Sequence, residues 1–361
     1  MVVSVPAASI PTSLCLTPPT LVDTMDQIKS LHALGDDSIA AVLPVTYQIF
    51  TPLLQAHRAE IKAVPRKTEP YGTHPRQQLD IYSPPNTTVP GPAPGPILIF
   101  LYGGGLVRGD KIQPMVPDGL VYANLGAWFA TRGVTTIIPD YRRVNSPFGG
   151  EGAVYPSGGE DVSLVLSWVE RWISTTGPAD GKGKRDVFIM GNSAGGLHIT
   201  TYLFENQWLE QRLRYVGGQD GLVLRGAIGL APPFHFHNPL GDRLDMLTKY
   251  FGTQKQIDDL SPYGHLEAIG KAKKTRGQVG MPRYLVLLGE WDPIDEIGKS
   301  CEEFVELWSK VWGEGIDFQI LAGHNHISPP LALMSGDVEG EKWANNLLKW
   351  IKAHESHHND E

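Results

Sequence analysis

The chain has 361 residues, of which 41% are hydrophobic and 19% charged, with a formal net charge of −8. That balance belongs to a globular chain with material for one large core, and its acidic excess argues against a nucleic-acid or anionic-membrane surface. No apolar run reads as a membrane span, and two cysteines, Cys15 and Cys301, cannot build a disulfide framework.

The first twenty residues are apolar and dotted with proline. They lack a basic leader and a continuous apolar segment, so they read as an arm rather than a signal peptide. Sequons such as Asn86-Thr87-Thr88 are common by accident, and a cytoplasmic protein is the expectation. Residues 21–35 and 39–63 carry helical periodicity, with breaks expected near Pro44 and Pro52. Gln78 to Tyr82 alternates like an early antiparallel strand.

Ile97 to Tyr102 is a continuous apolar run, as expected of a strand covered on both faces. Residues 119–132 predict a helix, and Val134 to Ile138 a second buried strand. From Asp161 to Ile173, Val162, Val165, Leu166, Val169, Trp172 and Ile173 share one helical face. Val187 to Met190 predicts another strand, running into Gly191-Asn192-Ser193-Ala194-Gly195 and then an amphipathic helix. Leu222 to Leu230, Tyr284 to Leu288 and Ile316 to Leu321 are further strands. Residues 234–281 break the rhythm, with a basic stretch, Lys271 to Arg276, read as a solvated face. Ile297, Cys301, Phe304, Val305, Trp308, Val311 and Trp312 form a helical stripe that would bury a reduced Cys301. Trp343, Leu347, Leu348 and Ile351 line a closing helix, followed by a His-rich tail. Strands alternating with helices imply a mostly parallel sheet covered on both faces, with ligands beyond the carboxyl ends of its strands.

Gly-x-Ser-x-Gly is a weak signal alone in a chain with 40 glycines. A strand before it and a helix after it match a nucleophile elbow, which holds a serine on a sharp turn at a helix N-terminus. A serine needs a base, and the base an acceptor that fixes its tautomer. Beyond the strand ending at Leu288 lie Glu290, Asp292, Asp295 and Glu296, and beyond Leu321 lie His324 and His326. The order serine, acid, histidine is that of the α/β-hydrolase arrangement. Asp295 can be an N-cap, whereas Asp292, before Pro293, sits where a turn aims it over the sheet edge. His324 and His326 straddle Asn325 and should face opposite ways. Gly103-Gly104-Gly105 stands where backbone amides can hold an oxyanion, with the Ala194 amide as another donor. A phosphate cradle lacks its further glycines and lysine. Neither His-x-His pair, 324/326 or 235/237, has an acidic or Cys partner at ligand spacing, so no metal and no cofactor are expected.

The stretches LDIYSP, FLYGGGLVRGD, IIPDYR, GNSAGG, LGEWDPIDE and GHNHIS span residues 79–328. Through them the sequence resembles the esterase/lipase branch of the α/β-hydrolases: the hormone-sensitive-lipase-like carboxylesterases and the feruloyl-esterase-like and kynurenine-formamidase-like groups. The resemblance implies a catalytic triad of Ser193, Asp292 and His326, and an oxyanion hole of Gly104, Gly105 and Ala194. It also implies a catalytic domain over 71–361. Residues 1–70 would contribute to a helical lid completed by an insertion at about 233–281. Two features depart from the pattern. Tyr102 replaces the histidine of HGGG, and the acid motif is one residue shorter than D-P-L-x-D-E.

The expected activity is a metal-independent serine carboxylesterase acting on a small ester, with lid aromatics Phe234, Phe236, Tyr250 and Phe251 hinting at an apolar or aromatic one. A homodimer is compatible with this reading. The alternatives are an amidase or arylformamidase, an acyl transferase, or a non-catalytic binding protein on the same scaffold.

Overall fold

The structure, a computed structural model, describes residues 23–33, 35–85, 95–176, 183–219, 221–237, 239 and 241–356. The N-terminal arm with Cys15, the sequon at 86–88 and the end of the His-rich tail lie outside the described residues.

Chain order opens with α1 (Thr24–His32), α2 (Ile39–Ala56) and α3 (Arg58–Ala63), then β1 (Arg66–Pro70), β2 (Gln78–Tyr82), β3 (Ile97–Leu101), α4 (Ala123–Ala130), β4 (Thr135–Pro139) and α5 (Ser157–Thr176). It continues with β5 (Arg185–Asn192), α6 (Ala194–Phe204), α7 (Leu209–Val216), β6 (Leu222–Leu230), α8 (Gly241–Phe251), α9 (Gln254–Leu260) and α10 (Pro262–Lys271). Last come β7 (Arg283–Trp291), α11 (Lys299–Trp312), β8 (Asp317–Asn325), α12 (Ser328–Ala332) and α13 (Lys342–Ala353).

The eight strands form one sheet in the order β1-β2-β4-β3-β5-β6-β7-β8. β2 is antiparallel to both β1 and β4, and the remaining pairs are parallel. β3 and β4 are buried along their whole length, which is why their sequences are continuous apolar runs rather than alternations. Helices α8 to α10 occupy the connection between β6 and β7.

Several details differ from the sequence reading. α2 runs unbroken through Pro44 and Pro52. Both prolines are exposed, as are Ala40 and Gln48, whose carbonyls they leave without an amide partner, so water can satisfy those carbonyls. The inner face (Val42, Thr46, Tyr47, Phe50 and Leu54) is buried and holds the helix in place. By length and composition α2 is also apolar enough to cross a membrane. α6 is buried at every position rather than amphipathic, because it lies between the sheet, α5 and α10. Cys301 is a buried free thiol facing the Pro232 carbonyl at 3.4 Å.

Candidate active site

Ser193 is the hinge between β5 and α6, with φ of +51° and ψ of −119°. A non-glycine residue holds positive φ only where its surroundings enforce it. Here the Ser193 N–H donates to the Leu230 carbonyl at 2.9 Å, and the flanking backbone leaves no room for a wider turn. A Cβ built on Gly191 would lie 2.4 Å from the Gly195 carbonyl carbon, and one built on Gly195 would lie 2.2 Å from the Leu101 carbonyl oxygen. Glycine at both positions is a steric requirement of bringing α6 onto the ends of β3 and β5.

β7 ends in Trp291 and passes into a single π-helical turn, Ile294–Gly298. Asp292 folds back across this corner, where its Oδ2 accepts the Gly289 N–H at 2.6 Å. Its other oxygen lies 2.6 Å from Nδ1 of His326, and the two side chains are 1% and 3% exposed. A buried carboxylate on Nδ1 fixes the imidazole with Nε2 as its free base. The other acids are used elsewhere. Asp295 is exposed, Glu290 accepts the Gly323 N–H at 2.7 Å, and Glu296 takes the Ile39 N–H and Arg243.

The two histidines diverge as strand alternation requires. Nδ1 of His324 meets the Ser328 hydroxyl at 2.9 Å, and burial pushes its pKa down to about 4. Asn325, between them, caps α12 by accepting the N–H groups of Ile327 and Ser328. It also donates to Thr46 Oγ1 at 2.9 Å. The turn that presents His326 is thereby tied to α2, a link with no local signal in the sequence.

After β3 the chain enters a tight loop at Gly103–Gly105. A Cβ on Gly103 would lie 3.1 Å from that of Ser193, so this loop runs directly against the elbow. Gly104 has φ of +152°, and any side chain there would strike the Arg108 carbonyl. Among the described residues, the N–H groups of Gly104, Gly105 and Ala194 have no protein acceptor. Three unspent amides beside a serine are what an oxyanion requires.

Tyr102 underpins the loop. Its hydroxyl donates to Asp140 at 2.6 Å and accepts from Arg76 at 3.0 Å, while its carbonyl accepts the Tyr141 hydroxyl at 2.8 Å. Arg76 also holds the Gly109 carbonyl at 2.6 Å and Asp110 at 2.8 Å, at the far end of the same loop. Burial pushes the Asp140 carboxyl up, against the opposing pull of Arg76 and the hydrogen bond from Tyr102. Sequence reasoning missed this network because Asp140, although it lies in IIPDYR, gives no local sign of its partners, and Arg76 stands in no motif.

Leu106, Val144, Ala194, Leu197, Phe236, Leu247, Tyr250, Phe251 and Ile257 form an apolar cluster separate from the main core. It joins the glycine loop and the start of α6 to α8 and α9. Phe234, by contrast, belongs to the main core, stacked flat on Phe304 with centroids 3.8 Å apart.

No protein-family model matches the chain. It is 26% identical over 180 residues to the probable isoprenylcysteine alpha-carbonyl methylesterase ICMEL2 of Arabidopsis thaliana, covering 48% of this chain and 37% of that protein. It is 28% identical over 142 residues to the probable isoprenylcysteine alpha-carbonyl methylesterase ICME of Oryza sativa subsp. japonica, covering 39% of this chain and 29% of that one. The chain thus matches only about 29–37% of the length of these relatives. Among solved structures, it is similar to esterase B from Lactobacillus Rhamnosis, with a TM-score of 0.57 at 16% identity over 87% of this chain and 95% of that one. It is also similar to Thermogutta terrifontis esterase 2 phosphonylated by sarin, with a TM-score of 0.54 at 19% identity over 79% of this chain and 94% of that one. The fold is that of the α/β-hydrolases.

Proposed function

We propose that the chain is a serine carboxylic ester hydrolase. Ser193 attacks the acyl carbon as His326 takes its proton. The amides of Gly104, Gly105 and Ala194 hold the oxyanion, and protonated His326 releases the alcohol. Asp292 keeps the imidazole in its tautomer, and water activated by His326 then clears the acyl-enzyme. The reading is carried by the 2.6 Å contact between buried Asp292 and His326, on the same strand-end rim as a serine held at positive φ. The methylesterase and esterase names of the relatives support it.

In this proposal α8 to α10 act as a lid, and the cluster of Leu106, Phe236, Leu247, Tyr250 and Phe251 provides an apolar wall for the acyl or alcohol group. Apolar and aromatic esters are the preferred class, because a wall of this kind binds by burial rather than by hydrogen bonds.

A fluorophosphonate probe tests the reading directly. The wild type should be labelled stoichiometrically and lose labelling in Ser193→Ala. A folded wild type that takes no label and cleaves no p-nitrophenyl ester would remove the proposal.

A further inference from the structure

Beyond β6 the chain runs Phe234-His235-Phe236-His237, and alternation divides it between two faces. Phe234 enters the main core and Phe236 the apolar cluster. The two imidazoles stack on each other, with centroids 3.8 Å apart and planes 18° from parallel. α11 receives this segment: Ser300 Oγ accepts the Phe234 N–H at 3.3 Å, and Phe304 takes the Phe234 ring. The residue before Phe304 is Glu303, whose Oε2 lies 2.9 Å from His235 Nε2 and 4.0 Å from His237 Nδ1.

We propose that His235, His237 and Glu303 form a zinc site that clips the chain leaving β6 onto α11. One nitrogen of each imidazole and one carboxylate oxygen lie within 4.8 Å of one another. Zinc bonds of about 2.0–2.1 Å place tetrahedral ligand atoms roughly 3.4 Å apart, and the distances of 2.9 and 4.0 Å bracket that value. The adjustment falls on His237, whose side chain is 49% exposed and free to swing inward.

A second observation points to a ligand. His235 is only 8% exposed and its Nε2 faces Glu303, yet the contact does not have the geometry of a hydrogen bond. A cation between nitrogen and carboxylate would satisfy both.

Three features oppose zinc. The stacked rings hold their in-plane lone pairs nearly parallel, so His237 must rotate out of the stack before both nitrogens face one ion. Lys299 approaches the other Glu303 oxygen at 3.9 Å, but its side chain is 65% exposed and can leave. Nδ1 of His235 accepts the His237 N–H at 3.4 Å, and zinc on Nε2 would move the ring proton to Nδ1 and end that long contact. Tyr263 stands edge-on to both rings, at 5.6 and 5.9 Å, and closes one side. Water would complete the coordination.

The sequence argument against a metal looked for a partner at ligand spacing along the chain. Glu303 is 66 residues beyond His237 in the chain (303 minus 237), and only the packing of α11 brings it in.

The test is zinc titration against a chromophoric chelator, in full-length protein carrying H357A and H358A so that the tail histidines do not compete. One equivalent should bind. H237A and E303Q should each weaken binding at least about tenfold, and cobalt in place of zinc should give the intense visible bands of four-coordinate metal. Absence of uptake in the parent, or uptake unchanged in either variant, overturns the proposal. H237A alters only a half-exposed side chain, so misfolding would not explain a loss there. Melting temperature should also rise with zinc in the parent and not in H237A.

Discussion

Tyr102 donates its phenolic proton to Asp140 at 2.6 Å, directly beneath the glycine loop that adjoins Ser193. The same hydroxyl accepts from Arg76, which grips the loop's far end at Gly109 and Asp110. A tyrosine therefore stands where the resembling families carry a histidine, and a different set of bonds braces the loop.

Tyr102→Phe leaves both Asp140 and Arg76 short of a partner while keeping the ring stacked on Tyr122 and Tyr141. A buried group stripped of its hydrogen bond costs about 1–3 kcal/mol. A modest fall in melting temperature is expected, with kcat on a p-nitrophenyl ester reduced about tenfold through displaced oxyanion donors. KM should stay within about twofold, since the wall of the site is untouched. Unchanged kcat in a destabilised Y102F protein would show that the brace serves stability alone.

Asp292 and Asp295 differ in surroundings rather than in chemistry. Asp292 is buried against His326, and Asp295 is exposed at the π turn. Asp292→Asn should preserve the fold and reduce kcat by about 10⁴, the loss expected when the imidazole adopts the wrong tautomer. Asp295→Asn should stay within about twofold of wild type, and equal losses in both would dissolve the assignment.

The inner parallel strands were legible because burial on both faces leaves a continuous apolar run, as in Ile97 to Leu101. β1 was not, since Arg66–Pro70 is a polar edge strand exposed along most of its length. Ser193, Asp292 and His326 could be picked out because each stands just beyond a strand end, where topology concentrates chemistry. The groups that orient them leave no local trace. Thr46 reaches Asn325 across 279 positions, and Arg76 reaches Tyr102 across 26. Both pairings exist only once helices and sheet are assembled. The continuity of α2 through two prolines was hidden for a related reason: tertiary burial of its inner face outweighs local propensity.

Phe236 is buried between the glycine loop and α8 to α9. Phe236→Ala should cost about 3–5 kcal/mol in unfolding free energy, as for other large-to-small core changes. It should also open the proposed wall, so the preferred acyl chain should lengthen in a p-nitrophenyl ester series. Each additional methylene buried in the enlarged space is worth roughly 1–3 kcal/mol in kcat/KM. A variant that loses stability but keeps the wild-type chain-length profile would place Phe236 away from the substrate.

His198 and His324 give the protein an acid-sensitive core. Burial pushes His198 down to about 3 and His324 to about 4, from an ordinary value of 6.5. His198 lies between Tyr141 and Tyr250, and among the described residues neither ring nitrogen has a hydrogen-bond partner. Below pH 6.5 the unfolded chain binds protons at these positions and the folded chain does not, so stability rises with pH across this window. The contribution is complete above about 6.5 and falls away as pH drops toward 4 and then 3, by on the order of a few kcal/mol for each ring. His198→Leu removes one of these titrations without sacrificing a hydrogen bond. Urea midpoints measured at about pH 7.5 and about pH 5 should therefore lie closer together in His198→Leu than in wild type. If the two proteins lose stability in parallel on acidification, His198 is not a source of the acid sensitivity.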